Sequence, residues 1–152
     1  MRDVAKDDCP IIMTLIQQLA EFENMSESVK INGERLQDDF VKGRFECAVC
    51  QNVSNGTIVG FAIYVYTFDL AVGRKVYLED LYVRERYRSR GHGRKLWDYL
   101  LAKGRSEDCV AMEFSVLRWN KSAIEFYINR GANNITKADS MEVYRFNIEP
   151  VR

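Results

Sequence analysis

The sequence predicts a mixed α/β domain, with one central, mostly antiparallel sheet flanked by helices. Three observations carry this. Residues 45–53, 57–68 and 75–83 are β-rich runs separated only by short turns, and such neighbours pair antiparallel. Two helix-patterned segments precede them. After them, helix and strand patterns alternate, which allows parallel or crossover pairings and leaves the sheet mixed.

The elements follow in order. Ile11, Ile12, Leu15, Ile16 and Leu19 recur at helical spacing, so residues 8–23 form an amphipathic helix with Asp7 or Asp8 as its cap and a stub of strand before it. Residues 33–42 form a shorter helix. The run 45–53 is a strand, and Asn52–Gly56 turns the chain through Asn55-Gly56 into a second strand, 57–68. Val72-Gly73 leads into Lys75–Val83. A helix from Gly91 to about Gly104 places Leu96, Tyr99 and Leu100 on one face. Val110–Leu117 is a strand, Lys121–Asn129 a helix closed at Gly131, and Met141–Ile148 a last strand. There is no repeat, linker or low-complexity stretch among the 152 residues, so a single domain spanning 1–152 is expected.

Composition weighs against several classes. Lys plus Arg total 22 and Asp plus Glu total 22, without the basic excess of a dedicated nucleic-acid binder. No apolar run is long enough to cross a membrane, and the start, Met1-Arg2-Asp3-Val4, lacks a signal-peptide core. Cys47 and Cys50 are three apart on a strand and so face opposite ways, and there is a single histidine, His92. No metal site is expected, and reduced thiols in a cytoplasmic protein account for the four cysteines. The charge is unevenly placed. Residues 1–40 carry nine acids against four bases, while residues 84–95 carry six bases against Glu85 alone. One region suits a cation and the other an anion. Solvated helix faces and loops explain many of these charges equally well.

The most informative stretch is Tyr77-Leu78-Glu79-Asp80-Leu81-Tyr82-Val83 followed by Arg84 to Lys95. A strand runs into an arginine-rich loop whose Gly91 and Gly93 open a helix. Free N–H groups and a partial positive charge at a helix start suit a pyrophosphate, and arginines add charge-assisted bonds. Neither the P-loop pattern nor the three-glycine dinucleotide fingerprint is present. The pattern that does fit is Arg88-Ser89-Arg90-Gly91-His92-Gly93, an R-x-x-G-x-G run at a strand end. Here the chain resembles the GNAT superfamily of N-acetyltransferases. Asn120-Lys121-Ser122-Ala123-Ile124-Glu125-Phe126-Tyr127 through Gly131-Ala132 resembles the second hallmark helix of that family, in the right order. Gln18–Glu23, Val59–Tyr64, Tyr77–Asp80 and Val116–Asn120 are similar to the diamine (spermidine/spermine) acetyltransferase branch and its thialysine-acetylating sisters.

The resemblance implies a GNAT fold, a homodimer, acetyl-CoA as donor and the primary amine of a small diamine or polyamine as acceptor. Thialysine- or lysine-type amino acids are the alternative acceptors, and a non-catalytic acetyl-CoA-binding protein is a further alternative. Neither nucleic acid nor membrane is an implied partner. The implied coenzyme A contacts are Leu81, Tyr82, Val83, Arg88, Ser89, Arg90, Gly91, His92, Gly93, Arg94 and Asn120. The implied catalytic groups are Glu79, drawing a proton from the amine through water, and Tyr127, protonating the departing thiolate. Phe22, Glu23, Asp69, Glu79, Asp80, Glu113, Phe114, Ser115 and Asp139 match acceptor-binding positions.

Plainer roles stand beside these. Glu79 also suits a strand salt bridge, Tyr127 a core aromatic beside Phe126, and Asn120 a helix cap. By the same resemblance, Ala71 and Met141 occupy positions where polyamine-specific relatives carry tryptophan, Asp139 replaces a glutamate, and Ser89 and Arg90 depart from the usual loop residues. Loss of the aromatic walls puts polyamine specificity in doubt.

Overall fold

The protein is described by a computed structural model covering residues 1–136. The chain divides into two compact units, Met1–Ser115 and Val116–Arg152. The last strand expected, Met141–Ile148, and the residues Asp139 and Met141 lie outside the described residues.

The first unit holds strand β1 (Arg2–Asp3), helix α1 (Cys9–Phe22), helix α2 (Gly33–Val41), strands β2 (Glu46–Gln51), β3 (Ile58–Asp69) and β4 (Gly73–Val83), helix α3 (His92–Ser106) and strand β5 (Ala111–Phe114). The sheet order is β1-β2-β3-β4-β5. All neighbours pair antiparallel except β4 and β5, which are parallel, as a crossover through α3 requires.

Each face of the sheet carries its own core. Cys47, Val49, Phe61, Ile63 and Tyr82 pack with Ile12, Leu15 and Leu19 of α1 and Leu36 of α2. Cys47 stands opposite Ile63, Val49 opposite Phe61, and Phe61 opposite Tyr82, so these strand residues share one face. Tyr64, Val76 and Leu78 are buried on the other face, where α3 contributes Leu96, Trp97 and Leu100. A side chain at Gly104 of α3 would come within 3.2 Å of Val76, which shows how closely this helix rides on β4. Cys47 and Cys50 do face opposite sides. Cys47 joins the core under α1, whereas Cys50 Sγ lies 3.4 Å from His92 Nδ1 at the start of α3.

Three local details differ from expectation. Asp8 sits at the cap position of α1 without capping it, because its carboxylate accepts from Arg2 at 2.6 and 3.0 Å and from the Ala5 N–H at 2.7 Å. Strand β5 is four residues long rather than eight, since only Lys75–Leu78 of β4 offers it a partner. β4 is irregular within Leu78–Asp80, and that irregularity shapes the site. In the second unit, α4 (Lys121–Ile128) closes as expected, with Gly131 left-handed at φ 86° and its N–H bonded to the Ile128 carbonyl at 2.9 Å.

Candidate active site

Ile63 stands opposite Asp80, yet the next residue, Tyr64, stands opposite Leu78. Glu79 is therefore the extra residue of a β-bulge. Directly opposed residues share a face, and consecutive residues on β3 do not. Asp80 consequently faces the α1 side with Ile63, while Leu78 faces α3 with Tyr64. Strict alternation of side chains does not apply across the bulge.

The bulge places a carboxylate against an apolar core. Burial first, then the charges of Glu79 and Glu23, hold the Asp80 carboxyl at about 6, against an ordinary 3.8. Glu23, at the end of α1, is also raised by burial. Asn24 adopts a left-handed φ of 56°, and the Met25 N–H closes on the Ala20 carbonyl at 2.8 Å, so α1 stops where Glu23 meets the sheet. Three of the expected acceptor residues, Glu23, Glu79 and Asp80, are thereby brought together.

Beyond the bulge, β4 continues as Leu81, Tyr82 and Val83, opposite Ala62, Phe61 and Gly60. A side chain at Gly60 would meet the Tyr82 carbonyl oxygen at 2.6 Å, so glycine permits the close approach of these strands. β5 pairs with β4 only as far as Leu78. Past that point the outer edge of β4 has no strand partner among the described residues.

The loop after β4 has the features of an anion cradle. Ser89 (φ 59°) and Gly91 (φ 80°) are both left-handed, and the space beside Gly91 where a side chain would stand is open. Gly91 caps α3, and the N–H groups of His92, Gly93 and Arg94 fall in the first turn, which has no carbonyl partners of its own. Arg90 and Arg94 are exposed, Arg94 lying 3.7 Å from Asp98. Arg88 has a structural task as well. Its Nε donates to the Val83 carbonyl at 3.0 Å, and its guanidinium lies 4.7 Å from the Phe22 ring centre and 5.6 Å from that of Tyr82. It ties the loop to the end of α1. His92 turns its ring toward Cys50 and Tyr87, so its backbone N–H is its contribution to the cradle. Left-handed backbone, free donors, open space and positive charge together fit the pyrophosphate of coenzyme A.

Asp69 and Glu113 do not stand as free carboxylates. Lys75 Nζ lies 3.1 Å from Asp69 Oδ2 and 2.8 Å from Glu113 Oε1, and its side chain is only 11% exposed. Asp69 also accepts from the Ala71 and Val72 N–H groups at 2.8 and 3.2 Å, closing the β3–β4 turn. Those bonds, Ala71 first and Lys75 next, hold its carboxyl below the usual range. Glu113 and Asp69, expected to receive a cation from solution, already hold one from this chain. Ser115 Oγ lies 3.1 Å from the Tyr77 hydroxyl, and Phe114 packs edge-on against Trp97 toward α3.

In the second unit, Asn120 caps α4 by accepting the Ala123 N–H at 3.2 Å, which is the structural role anticipated for it. Tyr127 stands on that helix edge-on to Phe126, with ring centres 5.3 Å apart.

An open strand edge next to a glycine-opened helix start, with a bulge supplying a raised carboxylate, is an arrangement that comparison with known proteins decides. Residues 13–132 match the Acetyltransferase (GNAT) family. The chain belongs to the GNAT acetyltransferases. As a GNAT protein it carries out acetyl transfer, a reaction for which the family uses acetyl-CoA. Across its full length it is 34% identical to a thialysine N-epsilon-acetyltransferase of Bos taurus, covering 94% of that protein. It is 33% identical to the spermidine/spermine N(1)-acetyltransferase-like protein 1 of Homo sapiens over 98% of this chain but 22% of that one. A crystal structure of a probable acetyltransferase shares the fold, with TM-score 0.79 and 20% identity over 99% of this chain and all of the other.

Two parts of this GNAT site escaped the sequence reading. Lys75 as partner of Asp69 and Glu113 had no signal beyond a lysine at an inward position of a strand. The bulge had one. Val76 and Leu78 are two apart, but the next apolar residue is Leu81, a step of three that breaks the alternation.

Proposed function

We propose that this GNAT enzyme acetylates the side-chain amine of a small lysine-like amino acid of the thialysine type. The observation that carries this reading is the carboxylate group of Asp80, Glu79 and Glu23 beside the open edge of β4. It suits one ammonium. The relatives named for thialysine support the same acceptor class.

Bound acetyl-CoA would supply an activated acetyl thioester. The residues of this chain do the rest. The first turn of α3 and the loop arginines hold the pyrophosphate. An acceptor amine of pKa about 10.4 arrives protonated at pH 7 and must lose that proton before it attacks. Asp80, poised near 6, takes the proton on its carboxylate, directly or through water, close to the optimum for a base working at neutral pH. Glu79 adds the negative charge that both raises Asp80 and holds the ammonium. The hydroxyl of Tyr127, matched to the family's tyrosine, donates to the leaving sulfur. Phenol and thiol pKa values of about 10 and 8.5 make full transfer uphill, so a hydrogen bond that strengthens as charge develops is the useful contribution.

Diamines and spermidine-like polyamines are the second reading, favoured by the same carboxylates and by the 33% identity to a spermidine/spermine acetyltransferase-like protein. The homodimer and cytoplasmic location implied by the family resemblance complete the proposal. Phe68 and Leu70, 75% and 98% exposed at the β3–β4 turn, are apolar surface that a second copy would cover, and sedimentation tests for it. The deciding assay follows thiol release from acetyl-CoA with thialysine, lysine, putrescine, spermidine and spermine under one set of conditions. Thialysine should give the highest kcat/KM. Release with none of them would overturn the reading.

A further inference from the structure

The Lys75 triad bears on which amines the site accepts. Lys75 stands opposite Thr67 on β3 and beside Ala111 on β5, with Glu113 beside Tyr77. Val76 and Leu78 face α3, so Lys75 and Tyr77 face the α1 side, as Asp80 does beyond the bulge. Asp69, Lys75, Glu113 and Asp80 therefore lie along one face of β4 and its neighbours. Lys75 and Asp80 are five residues apart, about 13–16 Å along the strand. A tetraamine of spermine length held by one end at Asp80 spans that distance along the sheet, whereas a lysine-sized molecule does not.

We propose that Lys75 is a specificity-determining residue that excludes long polyamines by occupying, with its own ammonium, the carboxylates a distal ammonium would need. The inference rests on the acceptor reading above, in which Asp80 marks the reacting end. The chemistry is substitution of one cation for another. Asp69 and Glu113 carry two negative charges, and the covalently attached Lys75 meets both at 2.8–3.1 Å. An incoming ammonium has to displace a tethered partner whose side chain is nearly buried, and pays the entropy of its own immobilisation besides. An acceptor with a single cationic end makes no demand on this triad. Hydrogen bonds to Glu113 first and Asp69 next raise the Lys75 pKa, so its charge is kept at every pH at which the enzyme would work.

The test is Lys75→Met, which keeps an unbranched apolar stem and removes the charge, with Lys75→Thr as a second variant and thermal unfolding to confirm that each folds. Two quantities are read: spermine binding by calorimetry in the presence of coenzyme A, and the ratio of kcat/KM for spermine to that for thialysine. Both should rise tenfold or more in either variant. Both gains should vanish when Asp69→Asn and Glu113→Gln are added, because the freed carboxylates are their source. Unchanged spermine binding in a folded Lys75→Met protein overturns the inference, as does a gain that survives the added substitutions. A wild-type preference for spermine over thialysine overturns it without any variant. Binding does not require turnover, so a gain in spermine binding by a protein that acetylates no amine would uphold the role of Lys75 and reject the acceptor reading instead.

Discussion

Asp80 stands directly across the sheet from Ile63, a residue only 8% exposed, so this carboxylate shares a face with the core under α1. The bulge at Glu79 is what puts it there. With regular alternation through Leu78, Asp80 would lie on the α3 face beside Tyr64.

That position makes stability depend on pH in a definite direction. The carboxyl is held at about 6 when folded and near 3.8 when exposed, so between these values the folded chain binds the proton more tightly. Ionised Asp80 is thus a penalty, absent below about pH 4 and complete above about pH 6. Asp80→Asn should stabilise the protein at pH 7.5 by on the order of 2 kcal/mol and change little at pH 4. Urea unfolding at the two pH values checks this, and equal effects at both would contradict it. In the same variant kcat should fall by roughly 10²–10⁴, and the wild-type acid limb near pH 6 should disappear.

Arg88 joins the anion cradle to the end of α1, so its replacement should have two effects. Arg88→Glu removes at least one charge-assisted bond to phosphate, about 1.5–3 kcal/mol, and acetyl-CoA affinity should drop tenfold or more. It also removes the bond to the Val83 carbonyl and the stacking on Phe22, so Tm should fall too. Calorimetric titration with acetyl-CoA and a melting curve measure the two separately. Unchanged affinity would take Arg88 out of the cofactor site and leave it as a brace of the loop.

Tyr127→Phe removes one hydroxyl and keeps the ring that packs on Phe126. Folding should survive. A kcat lowered by roughly 10²–10⁴, with acetyl-CoA affinity nearly unchanged, is the outcome if Tyr127 donates to the leaving sulfur. Wild-type kcat would make it an aromatic of helix packing alone.

Much of the fold was legible because its signals are local. The spacing of Ile12, Leu15 and Leu19 sets the buried stripe of α1, and Asn52–Gly56 sets the β2–β3 turn. Gly91 marks the left-handed start of α3. The extent of β5 was not legible, since a strand is as long as its partner allows. Nor was the Cys50–His92 contact, which joins residues 42 apart.

The sequence by itself determined that a glycine-opened helix follows an acidic strand, and so set a candidate anion cradle and candidate proton acceptors close together along the chain. A loop's backbone preference and a helix's free donors belong to a few consecutive residues. Only the tertiary structure decided which carboxylates are available. Asp69 and Glu113 read as open acids like Glu79 and Asp80 until the pairing of β3, β4 and β5 gathers them around Lys75. Asp80 reads as an ordinary aspartate until the bulge turns it onto the α1 face, beside Ile63 and within reach of the charge of Glu23. Burial and cross-strand register set the charge on a group, and both are made by residues far apart in the chain.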